Sequence, residues 1–116
     1  FSCVFVRMRS QALIDELRRI VLDRGPQLVR KTEAVFQLEI HDAGPGGLVV
    51  VDLKHGSGDV RIGTVREPDV ILRISDADLT AMAEGHLSGS AALYSGRLII
   101  RGDTMVAMEF GSLLES

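Results

Sequence analysis

Residues 95–108 read SGRLIIRGDTMVAM, a short apolar run that is followed by a glycine and then by the start of an apolar helix. The run RLIIR predicts a β-strand, which Gly102 is expected to end. Asp103 is expected to cap a helix from Thr104 to about Leu114. Because this helix has little polar face, it packs either deep in the core or against an apolar molecule that is not part of the protein.

Upstream of this stretch, the first predicted element is a helix. The run QALIDELRRIVLD places apolar residues along one face at helical spacing: Leu13, Ile14, Leu17, Ile20 and Val21. Gly25 is typical of the C′ residue that ends a helix, and Pro26 predicts a second, shorter helix through about Thr32.

Four strands are predicted next, three or four of them in hairpin order. They correspond to the runs VFQLEIH, LVVVDLK, DVRIG and DVILRI, and the turn sequences DAGPGG and HGSG lie between the first three. In the first run, Phe36, Leu38 and Ile40 alternate with Gln37 and Glu39, which predicts a strand that is buried on one face only.

Two short helices are predicted between the fourth and fifth strands. Ser75 and Ser88 stand where N-caps are expected, Asp78 completes a capping-box-like pattern, and Gly85 closes the first of these helices. The order of elements predicts an α+β fold, in which helices cover one face of a mostly antiparallel five-stranded sheet. The helical connection before the fifth strand permits a crossover there.

The bulk properties fit one globular domain and exclude several classes of protein. We expect residues 10–116 to form that domain and residues 1–9 to be a linker or the remnant of an upstream region, since the chain begins at Phe1. The net charge of −3, the scattered basic residues and the absence of Trp argue against nucleic-acid binding. Cys3 is the only cysteine, so no disulfide can form within the chain, and a reducing, intracellular location is favoured. No apolar run approaches the roughly 20 residues that span a bilayer.

Catalytic and metal sites are not indicated. His41, His55 and His86 stand at element ends or in turns, without metal-ligand spacing to another His, a Cys or a carboxylate. The run GSGDVR (56–61) lacks the third glycine and the following helix of a phosphate-binding loop, so it predicts a tight hairpin turn. We therefore expect no catalytic residue, metal or cofactor.

The C-terminal half is rich in adaptable apolar side chains, including three of the four methionines, at Met82, Met105 and Met108. Methionine suits surfaces that accept ligands of varied shape. The pattern by itself favours a simple core, and a ligand-binding surface is the alternative.

The segment VFQLEI…GGLVVVDLKHGSGDVRIG…EPDVILRISDADLTAMAEGHLSGSAALYSGRLIIRGDTMVAM resembles the sterol-carrier-protein, or non-specific lipid-transfer, domain. The resemblance covers about residues 28–114 and is most specific in the block Pro68 to Leu79, at Gly85 to Leu87, and from Ser95 to Asp103. It implies a five-stranded sheet with helices on one face and an apolar tunnel between the layers. It also implies binding of fatty acids, fatty acyl-CoA, sterols or phospholipids, without catalysis.

Carried over to this chain, the resemblance implies a set of tunnel-lining side chains. They are Met82, Leu93, Leu98, Ile100, Met105, Val106, Met108 and Phe110. Arg97 and Arg101, at the ends of the last strand, are candidates to meet a carboxylate or phosphate head group.

The chain departs from the family pattern at several positions. Leu48 stands where the family often has an aromatic residue, Ile99 where it usually has a polar one, and Asp103 where it has an amide. The last helix carries Glu109 and Glu115 in place of a more basic composition. Weaker membrane attraction or a different lipid head group is expected to follow.

The alternative function is a protein-interaction or oligomerisation module that kept the fold but lost lipid transfer. Strand alternation turns Ile71 and Ile99 away from the helices, which predicts a patch for a second copy or for a fused domain. The form SGRL…GD resembles the domain that is fused to stomatin-like membrane proteins. The expected location is therefore cytoplasmic, or at a membrane surface through a fused domain, with the peroxisome as the alternative.

Overall fold

The computed structural model describes the backbone of residues 11–115 and the side chains of residues 11–109. In chain order the elements are α1 (Gln11–Thr32), β1 (Ala34–Ile40), a 3₁₀ turn (Gly44–Gly47), β2 (Leu48–Leu53), β3 (Asp59–Ile62), β4 (Val70–Ile74), α2 (Asp76–Ala83), α3 (Gly89–Tyr94), β5 (Ile99–Gly102) and α4 (Thr104–Glu115). The predicted α+β class and the five strands are confirmed. None of the helices in this range has the length and apolar character needed to cross a membrane.

The five strands form one mixed sheet in the order β3-β2-β1-β4-β5. The pairs β1–β2, β2–β3 and β4–β5 are antiparallel, whereas β1 and β4 are parallel. The hairpin order therefore ends at β3, and the helical connection before the fifth strand, which permits a crossover, does not make one, since β5 pairs antiparallel with β4. The chain crosses the sheet between β3 and β4 instead, because β4 pairs with β1 rather than with β3.

Gln37 holds this crossover against the central strand. Its side-chain nitrogen donates to the carbonyl oxygen of Gly63 at 3.0 Å and to that of Val49 at 3.3 Å. Its side-chain oxygen accepts from the backbone nitrogen of Val65 at 3.0 Å. Gln37 is only 3% exposed, and Val35 on the same face is also buried. The prediction that this strand is buried on one face only is therefore wrong, because the connection after β3 covers the second face.

Asp69 fixes the other end of the crossover. Its carboxylate accepts from the backbone nitrogen of Val35 at 2.8 Å, and its own backbone nitrogen donates to the carbonyl oxygen of Val35 at 2.8 Å. The ammonium group of Lys54 lies 3.5 Å from the same carboxylate. These contacts set the parallel register of β4 against β1 just before the first residue of β4.

The core lies between the sheet and the helices. Alternate residues of the strands form its sheet side, among them Phe36, Val49, Val51, Val70 and Leu72. Its helical side comes from Ile14, Leu17 and Val21 of α1, Leu79 of α2 and Ala107 of α4. The predicted caps of α2 and α3 are confirmed, since the hydroxyl of Ser75 accepts from the nitrogen of Asp78 at 3.1 Å and that of Ser88 from the nitrogen of Ala91 at 3.0 Å.

The first helix is kinked at Arg24, whose φ of −124° and ψ of 18° are not helical, and Pro26 follows in the second helical segment as predicted. The helix breaks next to Gly25, where a C′ residue is predicted, but the φ of Gly25 is not positive, as it usually is at C′. Its hydrogen is needed for space instead, since a Cβ at this position would lie 1.8 Å from the carbonyl oxygen of Ser57. The kink therefore packs backbone against backbone on the β2–β3 turn.

We predict that Gly25→Ala lowers the free energy of unfolding by at least about 2 kcal/mol, since the added methyl group meets rigid backbone. The matched control is Gly46→Ala, because, apart from Gly46 itself and its two chain neighbours, no atom lies within 4 Å of the Cβ that it adds. Urea denaturation of both variants measures the difference. Equal stability of the two would contradict the close contact at Ser57.

We predict that Gln37→Met costs about 2 kcal/mol of stability, because it leaves the part-buried carbonyl oxygen of Gly63 and nitrogen of Val65 without their partner. Gln27→Met, an exposed change on α1, is the control. Thermal unfolding followed by circular dichroism compares the two. A loss no larger than that of the control would show that Gln37 does not hold the crossover.

Candidate functional site

The inner side of β5 and the residue just before that strand supply two of the predicted tunnel residues. Ile100 lies opposite Leu72 of β4, which is part of the core, and both Ile100 and the neighbouring Leu98 are half-buried against that core. Met82 of α2 and Val106 of α4 are half-buried against the same core. The structure therefore places four candidates at the border of one apolar cluster.

A tight turn after α3 positions Leu98. The backbone nitrogens of Arg97 and Leu98 both donate to the carbonyl oxygen of Ala92, at 2.9 and 3.0 Å. Ala92 is fully buried, so this turn is anchored in the protein. Leu93, one residue further along α3, is 36% exposed and lies at the margin rather than inside the core.

The start of α4 is fixed by Asp103, as predicted. Its carboxylate accepts from the backbone nitrogens of Met105 at 3.0 Å and Val106 at 3.3 Å. The helix lies against β4, β5, α1 and α2 and buries Ala107. Because only one side of the helix meets these elements, Met105 is 79% exposed and Met108 is 42% exposed. The side chain of Phe110, the remaining candidate, lies outside the described residues.

Gly102 has a role that its place at the end of a predicted strand did not reveal. It pairs with Val70 and has a φ of +110°, and a Cβ at this position would lie 2.3 Å from the carbonyl oxygen of Asp69. The chain can therefore leave β5 for α4 only by passing directly over the residue that fixes the crossover. A glycine between a strand and a helix cap indicates that the backbone turns sharply or passes close to another segment. The sequence does not show that this segment is the backbone of Asp69.

Three further predicted residues lie on the opposite face of the sheet. Ile71, Ile99 and Arg101 line a cleft of about 380 Å³ together with Arg73 and Glu39. Ile71 is half-buried and Ile99 is 46% exposed. The guanidinium of Arg73 lies 3.5 Å from the carboxylate of Glu39. Arg101 is thus separated from the inner candidates by the sheet, whereas Arg97 is exposed just before β5.

The carboxylate of Asp52 stabilises a turn of the sheet. Burial raises the pKa of Asp52, but backbone N–H groups of Lys54 and His55 and the ring of His55 donate to its carboxylate, so that this pKa is lowered overall. Asp52 is therefore ionised at neutral pH and holds the β2–β3 turn. Within the described residues no three His, Cys, Asp or Glu side chains come close enough to hold a metal ion.

Comparison with known proteins gives one consistent result. Residues 14–115 match the model of the SCP-2 sterol transfer family. The chain is 32% identical over 108 residues to sterol carrier protein 2 of Gallus gallus, and 33% identical over 110 residues to peroxisomal multifunctional enzyme type 2 of Mus musculus. These alignments cover 90% and 93% of this chain, but only 20% and 15% of the relatives. The chain therefore spans about a fifth of the length of the sterol carrier proteins that it matches.

Solved structures agree with the sheet and helices described above. Sterol carrier protein 2 of Yarrowia lipolytica, in its apo form, superposes with a TM-score of 0.77 at 23% identity, covering 99% of this chain and 96% of that one. The palmitated SCP2L2 of Aedes aegypti superposes with a TM-score of 0.73 at 27% identity, covering 95% and 96%. The fold of the chain is the fold of these structures.

We predict that Asp103→Ala destabilises the chain by about 1 kcal/mol, because two N–H groups at the start of α4 lose their acceptor. Asp103→Asn keeps a side-chain oxygen that can accept from these nitrogens and is expected to keep nearly full stability. Chemical denaturation distinguishes the two variants. An equal loss in both would mean that the charge of Asp103, and not its capping geometry, is what matters.

Proposed function

The chain belongs to the SCP-2 sterol transfer family, and on that basis we propose that residues 10–116 bind a lipid in the apolar layer between the sheet and α4. The ligand classes proposed are fatty acids, fatty acyl-CoA, sterols and phospholipids. The observation that carries the proposal is the cluster of half-buried side chains Met82, Leu98, Ile100 and Val106 at the border of the core. The domain binds and transfers its ligand and does not itself catalyse a reaction.

The packing of α4 supports this proposal. In the described part of α4, Ala107 alone is buried, while Met105 and Met108 are open to solvent. A helix that is apolar on nearly every side and only partly covered can bury more surface when an acyl chain lies beside it. Methionine side chains adapt to ligands of varied shape because they are unbranched and polarizable.

The energy of burial favours a broadly selective carrier. Each methylene group that leaves water contributes about 0.8 kcal/mol, so ten buried methylenes contribute about 8 kcal/mol before the costs of association. Burial is not directional, so it discriminates weakly between acyl chains, sterols and phospholipid tails. The palmitated Aedes aegypti relative, 27% identical to this chain, supports an acyl chain as one of the ligands.

Arg97 is the residue we propose for contact with an anionic head group. It is exposed in the turn immediately before β5, next to Leu98 of the apolar cluster. Arg101 was an equal candidate from the sequence, but the register of β5 turns it to the opposite face, beside Ile71. We therefore retain Arg97 alone for this role.

The setting of the domain is also a proposal. The match covers 15% of the mouse multifunctional enzyme and 20% of the chicken sterol carrier protein, so domains of this family occur as parts of longer chains. We propose that residues 1–9 connect the domain to an upstream unit of the stomatin-like kind, and that this unit brings it to a membrane surface. A peroxisomal location is the alternative, and peroxisomal relatives such as the mouse enzyme support it.

We predict that the chain binds one molecule of a fluorescent fatty acid, and that an unlabelled fatty acid displaces it. Native mass spectrometry after mild purification is expected to show one apolar ligand per chain. If neither a retained ligand nor a displaceable probe is found, the carrier function is wrong.

The binding site itself is tested with two adjacent isoleucines that lie on opposite faces of β5. Ile100→Ala is expected to weaken probe binding about tenfold, because it removes apolar contact worth roughly 1.4 kcal/mol. Ile99→Ala is the matched control and is expected to leave the affinity unchanged. Thermal unfolding confirms that both variants are folded. Equal affinities would place the ligand elsewhere than in the layer between sheet and α4.

A further inference from the structure

We propose that the outer edge of β5 is a docking site for an extended, acidic peptide segment, which adds to the sheet as a sixth strand. This inference goes beyond lipid binding and does not depend on it. It concerns the opposite face of the sheet from the proposed lipid site. It assigns a partner to the patch of Ile71 and Ile99.

The first observation is that β5 is an edge strand. It stands last in the sheet order and pairs with β4 on one side only. In the described part of the chain, residues 99–102 form no backbone hydrogen bond other than those with β4. Edge strands offer N–H and C=O groups to an added strand, and proteins often bind extended peptides in this way.

The second observation is the chemistry beside that edge. Ile99 and Arg101 are two residues apart on β5, so both side chains lie on the outer face, where they line the cleft with Ile71. Arg73 is paired with Glu39, but Arg101 forms no ion pair with any described residue. The cleft therefore combines exposed apolar surface with one uncompensated positive charge.

The opposite edge of the sheet shows that this combination is not a general feature of the surface. On β3, the other edge strand, Arg61 is paired with Asp59 of the same strand at 3.0 Å. Its charge is compensated within the chain. The two edges therefore differ in what they offer to a partner, although both carry an exposed arginine.

These features specify the partner. A strand added along β5 places every second side chain beside the outer face, so one residue meets Ile99 and the residue two positions away meets Arg101. Charge complementarity then requires a glutamate or aspartate next to Arg101 and an apolar residue next to Ile99. The segment has an acidic and an apolar residue two positions apart.

A second copy of the chain is a poorer partner for the same edge. The only charged side chain that another β5 could bring is its own Arg101. Two such strands would bring like charges near one another, directly opposite or diagonally, and would leave both without an acidic partner. Charge complementarity therefore favours a separate acidic segment over a continuous sheet across two copies.

The proposal is tested with a synthetic acetylated peptide of about eight residues, a typical strand length. Threonine occupies its odd positions, and isoleucine and glutamate alternate at its even positions. Titration into isotopically labelled protein, followed by amide chemical shifts, is expected to move the resonances of residues 99–102 most. Arg101→Glu is expected to weaken binding about fivefold or more, while Arg61→Glu on the other edge has little effect.

A charge exchange completes the test. A peptide with lysine in place of glutamate is expected to bind the wild-type chain weakly and the Arg101→Glu variant better. The fluorescent fatty acid is expected to bind that variant with unchanged affinity, which separates this proposal from the lipid site.

Four outcomes would overturn the docking proposal. The first two are chemical-shift changes confined to other strands or helices, and equal binding of the two peptides by the wild-type chain. The third is self-association in sedimentation that Ile99→Lys abolishes. The fourth is binding to anionic phosphatidylserine vesicles that Arg101→Glu abolishes, while the peptide causes no shift changes.

Discussion

The parallel pairing of β1 with β4 is the constraint on which the rest of the structure depends. It requires the chain to cross the sheet between β3 and β4, and this crossing is held at both ends by hydrogen bonds to β1. Gln37 binds the backbone of Gly63 and Val65, and Asp69 binds the backbone of Val35. Without this pairing β4 would have no place beside the central strand, and β5 and α4 would lose their support.

The same constraint sets the geometry of the proposed lipid site. Gly102 of β5 passes so close to Asp69 that a side chain is excluded, and Asp103 then begins α4 at once. The last strand and the last helix are therefore placed by the residue that fixes the crossover. The half-buried cluster of Leu98, Ile100 and Val106 follows from this placement, since it lies where α4 and β5 meet the edge of the core.

The two faces of β5, a strand of four residues, carry different kinds of side chain. Its inward side, with Ile100, continues the apolar core toward α4, where a lipid is proposed to bind. Its outward side, with Ile99 and Arg101, combines apolar surface and positive charge beside an unpaired strand edge. Because side chains alternate across a strand, one short segment can serve a ligand on one face and a partner on the other without the two competing for space.

The sequence by itself determined the elements and their local ends. Short-range rules account for the serine caps of α2 and α3, the aspartate cap of α4, the break of α1 near Pro26 and the outward direction of Ile71 and Ile99. Caps and strand alternation depend only on residues a few positions apart.

Only the tertiary structure decided the parallel pairing, the burial of Gln37, the close contact of Gly25 with Ser57, and which arginine stays near the apolar cluster. It also left Met105 and Met108 open to solvent, although the sequence grouped them with Ile100. These features depend on residues about 26 to 34 positions apart that meet only in the folded chain. No local pattern of charge or hydropathy records which strand lies next to which.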